Sequence, residues 1–183
     1  TAEHFFDHPE AAGDVARVHP VVVHGLGMSI GSPDENPEWH ALFDAVCRHS
    51  APRWVSDHLA FTRAGGIDLG HLNPLCLDAT MLERVASRAD RVQQRLGCRF
   101  LLENITSHLR VPGTIPEPEF LSRVAEQTGA GVLLDVTNLY VNAANQGFDA
   151  LEWLERLDPG HVVQYHIAGL ARVGGHLEDL HNT

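Results

Sequence analysis

The feature that most constrains this chain is a set of five short apolar runs, each separated from the next by a longer stretch. The runs are Pro20–Val23, Arg53–Ser56, Arg99–Leu102, Gly131–Leu134 and His161–Tyr165. Between them the pattern predicts a helix from Pro37 to His49 and a second from Asp78 to Leu96. In the second, Leu82, Val85, Ala89, Val92 and Leu96 fall at helical spacing, with Asp78 as N-cap and Gly97 as stop. A helix near Glu119–Thr128, closed by Gly129, and a short one near Ala150–Leu157 follow. Strand and helix alternating in this way are the mark of βαβ units and a parallel sheet. Short, wholly apolar runs suit strands buried on both faces. The remaining segments, including a long connection with Gly65, Gly66 and Pro74, read as loops.

Composition narrows the function. Of 183 residues 44% are hydrophobic and 20% charged, enough apolar content for one domain spanning residues 1–183. The formal net charge is −11 and all basic residues are Arg, which argues against a nucleic-acid partner. Cys47, Cys76 and Cys98 lie far apart and form no CxxC pair, so a reducing, cytoplasmic setting is expected. No apolar run approaches the roughly 20 residues of a membrane span.

Each apolar run ends in a residue that can ligate a metal: His24, His58, Glu103, Asp135 and His166, at intervals of 34, 45, 32 and 31 residues. In parallel α/β folds the C-terminal strand ends converge on one mouth, where active sites sit. Any one of these residues has a plain structural reading: a hydrogen-bonded His at a strand end, or an Asp that caps the next helix. Five in successive units, all N or O donors, point to a metal centre at that mouth. Imidazole and carboxylate ligands suit iron, manganese or zinc, and the lack of Cys among them argues against an iron–sulfur cluster. Near the end, Asp179 and His181 form a D-x-H pair that shares one face if the backbone is extended. Asn104 and Asn138 stand beside the donors as further ligands or as residues that orient them. The loop 25–37 and the stretch 62–77 would lie at the mouth, as candidates for substrate contact.

The stretches HGLGMSIGS (24–32), SDHLAF (56–61), RVQQRLGCRFLLEN (91–104), EFLSRVAEQTGAGVLLDVTNLYVNAANQGFDAL (119–151) and YHIAG (165–169) resemble the multinuclear non-heme iron-dependent oxidases typified by the oxidase of methanobactin biosynthesis. The resemblance implies a (β/α)8 TIM-type barrel, incomplete in this chain, with about strands 3 to 7 present in a piece of a longer protein. It implies two or three iron ions of mixed ferrous and ferric state, with O2 as co-substrate. The implied reaction modifies Cys residues of a ribosomally made precursor peptide, presented by a small partner protein. His24, His58, Glu103, Asp135, His166, Asp179 and His181 fall on the family's ligand positions. His24, His58 and Glu103 would hold one iron, and Glu103 or Asp135 would bridge to another. Two departures stand out. Thr137 occupies the third position of a DVNN pattern, and Leu170 replaces the second His of HLAGH, for which His176 is a candidate substitute. The residues alone also fit a divalent-metal isomerase or hydrolase barrel, or a non-catalytic metal-binding protein.

Overall fold

A computed structural model of the chain describes residues 1–180. The elements in order are α1 (Glu10–Val18), β1 (Val23–His24), α2 (Pro37–Ser50), β2 (Trp54–His58), β3 (Phe61–Ala64), β4 (Ile67–Asn73), α3 (Ala79–Leu96), β5 (Arg99–Glu103), α4 (Glu117–Thr128), β6 (Gly131–Asp135), α5 (Val136–Gln146), α6 (Ala150–Glu155), β7 (Val162–His166), β8 (Leu170–Val173) and β9 (His176–Asp179). The parallel sheet runs β1-β2-β5-β6-β7, and two antiparallel hairpins, β3-β4 and β8-β9, stand apart from it.

Side-chain alternation divides the sheet cleanly. Val23, Val55, Phe100, Leu102, Val132 and Leu134 face outward into the main core, with Phe43, Val46, Val85, Val124 and Phe120 from the helices. The residues between them, including His24, Ser56, His58, Glu103 and Asp135, therefore point to the inner face. That face is strongly curved. Trp54 Nε1 on β2 donates to Gln164 Oε1 on β7 at 2.8 Å. Three strand steps would separate these strands by about 14 Å in a flat sheet.

The register shows the same curl. His24 lies opposite Ser56, two residues before His58, and His58 lies opposite Glu103. Glu103 lies opposite Leu133, two before Asp135, and Asp135 lies opposite His166. The donor position thus advances by two, none, two and none across four steps. That averages roughly one residue per strand, the stagger of an eight-stranded barrel with a shear of about 8. The fold is α/β, an incomplete barrel.

Helix ends follow local chemistry. Asp78 caps α3 by accepting from Met81 N at 2.8 Å, and Gly97 ends it in the left-handed conformation at φ 68°. Several elements differ from the sequence expectation: α1, the β3-β4 and β8-β9 hairpins, and α5. α5 begins directly after β6, without a polar loop to announce it, and was not expected. The stretch 62–77, read as a loop, forms most of the β3-β4 hairpin, turned by Gly65 and Gly66 at φ 59° and 76°.

Candidate metal centre

Five donors from five adjacent strands meet at the C-terminal end of the sheet. They form two groups of three that share Glu103: His24, His58 and Glu103, and Glu103, Asp135 and His166. The two oxygens of Glu103 divide between the groups. Oε2 lies 3.4 Å from His24 Nε2 and 3.5 Å from His58 Nε2. Oε1 lies 3.3 Å from His166 Nδ1, which is itself 2.6 Å from Asp135 Oδ2. His24 and Glu103 sit two strands apart, as do Glu103 and His166, so the curl of the sheet brings them together.

Asp135 uses its oxygens differently. Oδ1 accepts from Asn138 N at 2.7 Å and so caps α5. Oδ2 is buried toward the other donors and receives no well-formed hydrogen bond. Both readings of a strand-end Asp, helix cap and ligand candidate, are thus open to one side chain. Asn104 holds the same corner: its Oδ1 accepts from Asp135 N at 2.8 Å and its Nδ2 donates to Asp135 O at 2.9 Å. Asn138 Nδ2 donates to Asn104 O at 2.9 Å, and Thr106 Oγ1 donates to Asn138 Oδ1. Asn104 and Asn138 therefore orient the Asp135 segment.

Electrostatics favours a cation. Glu103 and Asp135 are 3% and 0% exposed, with Asp57, 1% exposed, close behind His58. Burial, and then the charge of Asp135, raises the Glu103 carboxyl above its usual range against the opposing pull of His58 and His166. Burial, followed by repulsion from His58, lowers His24 to about 4. His24 thus keeps a neutral imidazole near pH 7, the form that ligates metal. For His58 burial alone would lower the value, but the Asp57, Glu103 and Asp135 carboxylates outweigh it and raise it. Buried and half-buried N and O donors aimed at one another, with two buried carboxylates among them, fit a divalent or trivalent ion.

Asp179 ends β9 opposite Leu170 and belongs to neither group of three. His181 lies outside the described residues. His176 pairs with Val173 on the β8-β9 hairpin, its ring 6.3 Å from that of His108. Thr137 is not an idle replacement: its hydroxyl donates to Ala168 O at 3.0 Å and accepts from Ala168 N at 2.8 Å, which ties α5 to the segment after β7. Sequence reasoning passed over Ser56, whose hydroxyl meets His24 Nδ1 at 2.8 Å, and Asp57. The available signal was a charged residue at an outward-facing strand position.

The family model of the RiPP precursor modification enzymes MbnB/TglH/ChrH matches residues 1–183. The chain belongs to this family. Among curated relatives, a UPF0276 protein of Anaeromyxobacter sp. is 41% identical over 169 residues, covering 91% of this chain and 60% of that protein. A UPF0276 protein of Bordetella pertussis is 40% identical over 156 residues, covering 84% of this chain and 54% of that protein. This MbnB/TglH/ChrH member thus spans a little over half the length of these relatives. Among solved structures, D-psicose 3-epimerase in the presence of D-fructose aligns with a TM-score of 0.59 at 11% identity, covering 94% of this chain and 63% of that one. The IOLI protein with a binding zinc atom aligns at 0.51 and 14%, covering 92% and 59%. At such identities the likeness is one of fold. Among the described residues no helix is long and apolar enough to cross a membrane.

Proposed function

We propose that this chain carries the metal centre of an iron-dependent oxidase that uses O2 to modify Cys residues of a ribosomally made precursor peptide. The observation that carries the reading is the sharing of Glu103. Its two carboxylate oxygens face two separate donor groups, the arrangement in which a carboxylate bridges two cations. Family membership supports the peptide substrate.

In this reading His24, His58 and Glu103 would hold one ion, and Glu103, Asp135 and His166 would hold the second. Asp179 and His181 are the candidates for a third. Iron bound there would relay electrons from the substrate to O2, which no side chain of this set can do. The protein's own part is positioning and charge. Glu103 and Asp135 offset the cations' charge, and Asn104 and Asn138 fix Asp135 in place. His24 and His166, on the outermost strands, have side chains 26% and 38% exposed, against 8% for His58 and 4% for Glu103. A small partner protein that presents the peptide completes the proposal.

The test uses full-length protein purified without added metal. The account expects iron by elemental analysis, O2 uptake with a Cys-containing precursor peptide, and a mass change confined to the Cys-bearing fragment. Stoichiometric zinc or manganese with no O2 uptake would overturn it in favour of isomerase or hydrolase chemistry.

A further inference from the structure

Alternation along β2 sends Ser56 and His58 to the inner face and Asp57 outward, among the apolar residues under α2. A Cβ on Gly25 would meet Asp57 Oδ2 at 2.7 Å, Trp39 at 2.9 Å and Phe43 at 3.0 Å, which locates the carboxylate beside that stacked aromatic pair. Asp57 is 1% exposed. Among the described residues no Arg pairs with it, and its one ion-pair partner is His58. A carboxylate is costly to bury in such a layer without a role that repays it.

Its contacts define that role. Oδ1 accepts from His58 N at 2.6 Å and lies 3.5 Å from His58 Nδ1. Oδ2 accepts from Met28 N at 3.0 Å, in the segment that follows His24. Gly25 N donates to Ser56 O at 2.8 Å, so the same segment is also laced to β2 by its backbone. The carboxylate therefore touches the supports of both histidines in one donor group and none of the supports of the other. The Glu103–Asp135–His166 group is held instead by Asn104 and Asn138.

We propose that Asp57 is the positioning residue for the His24–His58 half of the centre, turning the His58 ring so that Nδ1 faces Asp57 and Nε2 faces Glu103. A carboxylate behind a ligating imidazole fixes its orientation and strengthens it as a donor. The inference rests on the metal reading above and adds an asymmetry to it: Asp57 serves one ion and not the other.

The experiment is an anaerobic titration of full-length protein with ferrous iron, wild type against Asp57→Asn and Asp57→Glu, with circular dichroism to verify folding. Asp57→Asn should weaken one of two binding steps by roughly ten- to hundredfold and leave the other within about twofold. Asp57→Glu, which keeps the charge, should recover part of the loss. Both steps unchanged in folded Asp57→Asn, or both weakened alike, would overturn the inference while leaving the metal centre standing. If Asp57→Asn does not fold, nitrogen NMR of zinc-loaded wild type decides: a proton on His58 Nδ1 is expected, and one on Nε2 overturns it. Wild type that binds no ferrous iron overturns the metal reading and this inference with it.

Discussion

Glu117, in the first turn of α4, shows how burial tunes one side chain far from the donors. It lines a cavity of about 540 Å³ together with Leu59, Leu77, Ile105 and Pro116. Burial pushes its carboxyl from the ordinary 4.5 up to about 7, although it accepts a hydrogen bond from Trp153 Nε1 at 3.2 Å. An acid whose folded value stands above its unfolded one binds more protons when folded between those two values. Its contribution to stability is therefore complete below about 4.5 and is lost as pH rises toward about 7. Glu117→Gln should flatten that part of the pH profile of the urea midpoint and stabilise the protein most above pH 7; an unchanged slope would contradict the assignment. At this scale the five strand-end donors were legible, because each closes an apolar run. Asp57 was legible only in part: alternation from His58 sends it to the outer face of β2, but nothing in the sequence says what it touches there. Nor was it legible that one Asp135 side chain leaves both readings open at once, which depends on α5 starting at the next residue.

Elements were legible where their signals were local. α3 follows its apolar spacing from the Asp78 cap to Gly97, β5 and β6 match their apolar runs to within a residue, and β2 matches to within two. β1 is shorter than its run, because only Val23 and His24 pair with β2. α5 went unread because its first turns, Val136-Thr137-Asn138-Leu139-Tyr140-Val141, mix β-branched and aromatic residues of modest helix propensity. Its start is set by the Asp135 cap and by buried contacts. The two hairpins had a usable signal in their Gly-Gly pairs, and Gly174 and Gly175 turn the second at φ 57° and 90°. Thr137 belongs to this scale too, since its hydroxyl makes the two bonds to Ala168 that join α5 to the chain after β7. Thr137→Val keeps the shape and removes both bonds, leaving the Ala168 groups without that partner. A loss of about 1–3 kcal/mol in denaturant unfolding is expected. No measurable loss would mean that the segment finds other partners.

At the scale of the molecule, the sheet's stagger turns a linear sequence pattern into a site. Donors 31 to 45 residues apart reach one place because the register advances four residues over four strand steps. The barrel class was legible from strand–helix alternation and from resemblance. The division of the donors into two groups was not, because register and curvature are properties of paired strands. The central claim is that Glu103 serves both groups, and metal counting in full-length variants tests it most directly. Glu103→Ala should lose two ions together, His24→Ala should lose one, and His166→Ala should lose the other, each relative to wild type by elemental analysis of folded protein. If Glu103→Ala loses no more metal than His24→Ala or His166→Ala alone, the two groups do not share a bridging carboxylate and the account is wrong.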